Sequence, residues 1–501
     1  MEPLTVNSLI RAEDIELAAN PLQIVLPSAV RSTIARCHDY VNDEIARDRP
    51  IYGITTGYGA LVNHIASHDS DERARGLIDF LTVGQGDPLA PAVARGMLLV
   101  RLIALSRGQS GISLPSIEAL ASFLETPLAP VVPEYGSVGA SGDLIPLAHA
   151  VQALTGRSEV FLSERRIPAD EGLRQAGLTP LVLTGRDSLA LVNGTALTGA
   201  ASALAVSQAK RSTIASLYLT AGLAELLGAG PSFADINLAA SSGHAAVSWA
   251  AERLRDLLCA GRVASGRPLQ EVYSLRCTPQ LVGAAVSALT WANGAIQDDL
   301  NGVSDNPLFF PDLDKVAHGG NFFGQTLAFA TDLIANVTTQ LGNLAERQLD
   351  LLVDPRRNGG LPALLTSEPG RRHGLTGLQI SATSLIAAMR RDCTPAGMQS
   401  IATNLHNQDI VPFGNQAALT ALRQTKRLRV IQGMLGLALR QAYFLRGHDP
   451  AASGGQDLLA VLSTIDPIVE DRPLDSDARH AADALDTLTA DAACDLARGI
   501  I

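Results

Sequence analysis

The chain has 501 residues, of which 47% are apolar and 18% charged, with a formal net charge of −11. That composition can build a large core and excludes a disordered chain, and an acidic balance without any basic stripe excludes nucleic acid as the partner. Aromatics are only 4% and alanine is abundant, which suits long, closely packed helices because Ala costs least in a helix.

From the N-terminus, "MEPLTVNSLIRAEDIE" is acidic early and has no apolar signal-peptide core, so a cytoplasmic protein is expected. The five cysteines, Cys37, Cys259, Cys277, Cys393 and Cys494, are far apart and odd in number, without a C-x-x-C. This fits a reduced compartment and neither a disulfide framework nor a zinc site. Over residues 1–200, short helical runs alternate with Gly/Pro-rich loops such as "IYGITTGYGA" and "PLAPVVPEYGSVGASGD". His64 and His68 have i, i+4 spacing, but "HIASHDSDE" reads as a solvated loop or helix end. The uncharged stretch Ser188 to Ala209 has membrane-spanning length, yet Asn193, Thr195, Thr198 and Gln208 make a buried bundle helix the better reading.

Residues 201–447 carry long helical patterns. Ile334, Val337, Leu341, Leu344, Gln348 and Leu351 alternate steps of three and four, a helix–helix seam that Gln348 interrupts and "DPRRNGGLP" ends. Residues 448–501 form a tail that closes on the helix-like "DSDARHAADALDTLTADAACDLA". With no repeat and no convincing β-α-β alternation, the expected class is mainly α: a loop-rich N-terminal region, a central bundle of long helices and a helical tail.

"GSVGASGDLIP", Gly136 to Pro146, concentrates the chemistry. One reading is a turn with Asp143 as N-cap of a helix whose apolar face is Leu144, Leu147, Ala148, Val151 and Leu154, ended by Gly156. A phosphate cradle is disfavoured: the spacing is G-x-x-G-x-x-G, no Gly-Lys-Ser/Thr follows, and no preceding strand sits in a β-α-β unit. Nor does Ser141 have the glycine offsets of a nucleophile elbow. The third reading is self-processing. The nitrogen of Gly142, the least hindered available, attacks the carbonyl carbon of Ala140, and loss of water from the ring and from Ser141 leaves an alkene conjugated to a five-membered imidazolone. A helix N-terminus there would stabilise negative charge developing on the ring.

At this point the sequence resembles the aromatic amino acid ammonia-lyases and aminomutases, which include histidine, phenylalanine and tyrosine ammonia-lyases. "GSVGASGDLIPLAHA" is similar to their signature, and "IYGITTGYG", "SLALVNGTAL", "QEVYSLRCTPQ", "NGVSDNPLFF", "GGNFFGQ" and "NLHNQDIV" occur in the family's order over almost the whole chain. The resemblance implies a 4-methylideneimidazole-5-one group (MIO) formed from Ala140, Ser141 and Gly142, with no external cofactor. It also implies a fumarase/aspartase-like helical architecture and a homotetramer whose active sites draw residues from three chains. The implied reaction removes ammonia from an aromatic α-amino acid to give a trans-α,β-unsaturated acid.

By the same resemblance, Tyr52 is the base that takes the β-proton. A free tyrosine has a pKa of about 10, so the site must depress it or the enzyme must favour alkaline pH. Tyr58 is the lesser candidate. Gly53, Gly57 and Gly59 suit a mobile lid. The guanidinium of Arg276 matches the bidentate grip on the substrate carboxylate, with Gln270 beside it and Tyr273 near the amine or the MIO. Asn193 corresponds to the residue that hydrogen-bonds the carboxylate and MIO carbonyl region, and Asn306 and Phe322 to positions lining the pocket.

Selectivity in the family rests largely on a pair that aligns with Phe80 and Leu81 in "GLIDFLTVGQGDPL". Phe-Leu there resembles phenylalanine lyases, where tyrosine lyases carry His-Leu and histidine lyases Ser-His. An apolar wall offers no partner to an imidazole or phenol, so phenylalanine-like substrates are expected. The Lys and Glu of plant-type enzymes align with Thr376 and Asn404 and are absent, and "GLQISATSL" is closer to bacterial tyrosine lyases and aminomutases. Asn407-Gln408-Asp409 departs from the "NQE" of histidine lyases, and the long plant extension is missing, which fits a bacterial type. Tyrosine ammonia-lyase and aromatic 2,3-aminomutase remain the alternatives, with histidine ammonia-lyase ranked below them. A pyridoxal-phosphate enzyme is disfavoured because Lys210, Lys315 and Lys426 sit in no convincing cofactor loop. A non-catalytic helical scaffold is the competing class outside enzymes; this chain keeps both Ser141 and the loop tyrosine.

Overall fold

Apolar stripes at helical spacing build most of the chain, as α1 (Ser28–Ala46) shows by burying Val30, Ile34, Cys37, Val41 and Glu44. In the computed structural model the described residues are 3–47, 49–64, 69–258, 264, 266–447, 450 and 453–497; His68 and Cys259 lie outside them. Strands are few and short. Leu128–Pro130, Glu159–Leu162 and Arg165–Pro168 form a small antiparallel sheet, and Gln85–Pro88 pairs antiparallel with Pro133–Tyr135. The fold is mainly α.

The chain divides into two compact units. The first comprises 1–204, 293–332 and 395–419; the second comprises 205–292, 333–394 and 420–501. In the first unit, Cys37 and Val41 of α1 pack with Ile51, Ile54 and Phe309, so the residues flanking Tyr52 are anchored in a buried cluster. Three helices then frame the glycine-rich bend: α2 (Ser70–Leu81), α3 (Pro91–Ser106) and α4 (Leu144–Leu154). Helix α4 begins and ends where the sequence predicts, with Gly156 just beyond it at φ +76°. Asp143 occupies the N-cap position, but its carboxylate does not cap. It accepts instead from the backbone N–H and hydroxyl of Thr198 and from the Ser137 hydroxyl, at 2.8, 3.0 and 3.1 Å.

The stretch 188–209 is not one helix. It contains most of α5 (Asp187–Val192) and the start of α6 (Ala196–Leu227), separated at Asn193-Gly194-Thr195. Apolar content predicts burial here correctly, yet it does not register that Asn193 turns to extended backbone at φ −90°, ψ 94°. The break matters because it faces the glycine-rich bend.

In the second unit the predicted seam lies on one helix, α9 (Gln325–Val353), and its members from Ile334 to Leu351 are all buried. Between α6 and α9 come α7, the single turn Tyr273–Arg276, and α8 (Thr278–Asn301). Gln348 interrupts the seam for a reason: its Nε2 donates to Thr220 Oγ1 at 2.7 Å and to the Ser274 carbonyl at 2.8 Å, fixing α7 from behind. Further helices are α10 (Thr376–Asp392), α11 (Gly414–Arg446) and α12 (Asp475–Ala497), the last coinciding with the helix-like tail. Buried amides tie the unit internally: Gln432 donates to the Ser212 carbonyl at 2.7 Å and Gln424 to the Met389 carbonyl at 2.8 Å. Among the described residues no helix is long and apolar enough to cross a membrane.

Candidate active site

Gly139 and Gly142 carry φ of +73° and +71°, a conformation that favours glycine. A Cβ on Gly142 would run into the backbone of Gly194, so the two segments touch where neither has a side chain. The contact is held by the Asp143 N–H, which donates to the Gly194 carbonyl at 2.7 Å. Around Ser141, Asn193 Nδ2 donates to its carbonyl at 3.0 Å and Gln408 Nε2 to its hydroxyl at 3.2 Å. Gln408 is itself oriented by the Thr403 hydroxyl, which donates to its Oε1 at 2.6 Å.

A buried cation supports this arrangement from below. Arg101 on α3 donates through Nε to the Ala190 carbonyl at 2.8 Å and through Nη1 to the Ser304 carbonyl at 2.7 Å, and lies 3.5 Å from Asp305. A Cβ on Gly194 would collide with the Arg101 guanidinium, so Gly194 is pressed between Arg101 and Gly142. Burial pushes the Arg101 pKa down to about 10, against the opposing pull of Asp305. Two carboxyl groups nearby are pushed the other way. Burial raises Asp143 to about 6, countered by its bonds from Thr198 and Ser137. Desolvation raises Asp299 to about 7, countered by the Thr195 hydroxyl and reinforced by Asp143.

A cavity of about 870 Å³ in the first unit opens onto this bend. Ala140, Ser141 and Gly142 line it, together with Tyr52, Asn193 and Asn306. Phe80, Leu81, Phe322 and Asn404 complete the predicted set within it. Tyr52 is held at both ends: its N–H donates to His318 Nε2 at 3.2 Å, and its hydroxyl accepts the Gly59 N–H at 2.8 Å. Tyr58 meets it edge-on, ring centroids 6.4 Å apart, and burial raises the Tyr58 phenol, which suits it poorly as a base. Asn306 Oδ1 accepts the Gly319 N–H at 2.8 Å. The Asn404 amide lies against the Gly59–Ala60 turn, its Oδ1 accepting the Ala60 N–H at 3.5 Å, and Asn404, Leu405 and His406 all have positive φ.

Gln270, Tyr273 and Arg276 do not line the cavity; they belong to the second unit. Arg276 bonds Gln270 Oε1, and its guanidinium sits 4.5 Å from the centroid of the Tyr273 ring, which is 70% exposed. Thr376 lies in the same unit and donates to the His373 carbonyl at 2.7 Å. Sequence reasoning missed the roles of Thr403, Gln408 and His318 as orienting groups, and of Arg101. Gln408 was visible inside "NLHNQDIV"; a buried arginine in an apolar helix gave no comparable signal.

This fold and site have relatives. The family model described as aromatic amino acid lyase matches residues 10–465. A histidine ammonia-lyase from Symbiobacterium thermophilum is 37% identical over 477 residues, covering 94% of each chain. A tyrosine ammonia-lyase from Cereibacter sphaeroides is 39% identical over 485 residues, covering 91% of this chain and 92% of its own. Among solved structures, tyrosine aminomutase from Streptomyces globisporus superposes with a TM-score of 0.91 at 29% identity, covering 99% of this chain and 98% of its own. The chain belongs to the aromatic amino acid lyase family and is a carbon–nitrogen lyase.

The residues present fit the MIO group of that family. Gly142 has the required open backbone, and Asn193 Oδ1 is buried beside Ser141 without a protein partner.

Proposed function

We propose that the protein is an ammonia-lyase acting on L-phenylalanine-like substrates, releasing trans-cinnamate-type acids in the cytoplasm. The observation that carries this reading is the cavity, where the pair Phe80 and Leu81 shares walls with Tyr52 and Ser141. A phenyl ring loses nothing against such a wall, whereas a phenol or imidazole leaves its water partners unreplaced.

Ala140, Ser141 and Gly142 supply the MIO group, whose alkene is an electrophile for the substrate amine and turns it into a better leaving group. Asn193, which donates to the Ser141 carbonyl, would hold the carbonyl side of that group, and Gln408 donates to the Ser141 hydroxyl, the oxygen that leaves as water. Tyr52 removes the β-proton. The Gly59 N–H donates to its hydroxyl and fixes the position of the phenol oxygen in the cavity wall. Arg276 grips the substrate carboxylate with Gln270, and Tyr273 stands near the amine. The reading includes, from the family resemblance, a homotetramer in which neighbouring chains complete each site; those three residues do not line the cavity of the first unit.

A second reading, tyrosine ammonia-lyase or aromatic 2,3-aminomutase, is favoured by Asn404 and by the relatives of those names. The deciding experiment incubates the enzyme with phenylalanine, tyrosine, histidine and ring-methoxylated analogues, following arylacrylate and β-amino acid. Cinnamate from phenylalanine as the fastest product is the expected result. Coumarate or urocanate as the fastest product overturns the phenylalanine reading, and β-amino acid as the main product makes the enzyme an aminomutase.

A further inference from the structure

His149 takes no part in the chemistry above, yet it is buried on α4 and makes one directed contact: its Nε2 accepts the Gly84 N–H at 3.0 Å. Burial holds its pKa below the ordinary value, consistent with a neutral ring that offers this lone pair. Gly84 lies three residues after Leu81, at the exit of the wall. The entry is held by the same helix. One turn along α4, Gln152 donates to Asp79, the residue before Phe80, at 3.0 Å, and Arg157 just beyond α4 pairs with Asp79 at 2.9 Å. The strand that follows Gly84, Gln85–Pro88, pairs with Pro133–Tyr135, which leads into the glycine-rich bend.

The segment 79–88 is thus bracketed by the chain on either side of Ser141. The strand before the bend holds 85–88, and the helix after it holds Asp79 and Gly84. Space around the histidine is tight as well, since a Cβ at Gly84 would lie 2.9 Å from His149 Nε2. Without the imidazole acceptor, the Gly84 N–H loses that partner, while Gln152 and Arg157 still hold Asp79.

We propose that His149 is a positioning residue that sets the Phe80–Leu81 wall at a fixed distance from Ser141, and so sharpens selection of the substrate ring. This rests on the reading that Phe80 and Leu81 face that ring. Losing one such bond moves affinity about ten-fold.

The test compares the native enzyme with His149→Leu, His149→Gln and Gly84→Ala. Each is assayed for kcat and KM on phenylalanine and tyrosine, for near-ultraviolet absorbance of the MIO and for helicity. In His149→Leu, KM for phenylalanine should rise about ten-fold, and the preference between the two rings should shrink, with absorbance and helicity unchanged. His149→Gln, whose amide oxygen can accept the same N–H, should restore most of the native KM. Gly84→Ala, which displaces the ring without altering it, should mimic His149→Leu, and the double variant should be no worse than either single one. Native KM and ring preference in His149→Leu overturn the proposal. So does loss of MIO absorbance or helicity in that variant, unless His149→Gln and Gly84→Ala separate KM from both. If the native enzyme itself turns over neither amino acid, the functional reading fails instead.

Discussion

The bend at Ser141 and the turn Tyr273–Arg276 are built in opposite ways. Around Ser141 the chain is pinned from every side: Asn193, Gln408 and the Gly194 backbone hold it, and Arg101 backs Gly194. At Tyr273–Arg276 Gln348 holds the backbone and Leu275 is buried, while the side chains of Tyr273 and Arg276 use one another, arginine over tyrosine and arginine to Gln270. A region that must perform chemistry on its own backbone needs rigid enclosure. On the proposed function the second region receives a carboxylate, and Arg276, bonded to Gln270, supplies its donors.

The sharpest way to break the first region alone is Ser141→Ala, which should abolish turnover and near-ultraviolet absorbance while leaving helicity intact; circular dichroism and an absorbance scan check both. Tyr52→Phe should come next, lowering kcat by about 10²- to 10⁴-fold with the absorbance retained, because proton removal fails while the electrophile remains. Arg276→Lys probes the second region. It should raise KM about ten-fold or more by exchanging a fork for a point charge, again with the absorbance unchanged. Co-expressing Ser141→Ala with Tyr273→Phe, which should itself lose activity if Tyr273 stands at the amine, then sharpens the comparison. If sites are shared, mixed tetramers regain activity, and mixtures as dead as their parents sink that arrangement.

The smallest effect is on pH dependence. Burial raises Asp143 to about 6 and Asp299 to about 7 in the folded chain, above the ordinary carboxylate range. The folded state therefore holds these protons more tightly than the unfolded one. Their stabilising contribution is fully present below about pH 4 and is lost as pH rises through 6 and 7. Asp143→Asn should flatten the dependence of the urea midpoint on pH between 4 and 7; an unchanged slope would assign the effect elsewhere.

Much of this was legible beforehand. The seam from Ile334 to Leu351 and the tail helix follow from periodicity, which reports burial directly. Tyr52, Phe80, Leu81, Ser141, Asn193, Asn306, Phe322 and Asn404, named from ordered motifs and their alignment to the family, all line the cavity. What periodicity could not show was backbone meeting backbone. The break at Asn193-Gly194-Thr195 sits in an apolar run because its purpose is contact with Gly142, 52 residues earlier, and no local signal encodes a partner so distant. For the same reason Asp143 looked like a helix cap; its true acceptor geometry depends on Thr198.

The press of Gly194 against Gly142 has a consequence for the life history of the protein. If ring closure needs that contact, a newly made chain cannot become an enzyme until residues 142 and 194 have met. The chromophore then acts as a timer of maturation, its appearance dating the moment this part of the fold closes. Chains that never close it would stay two water molecules heavier, recognisable by mass in any preparation.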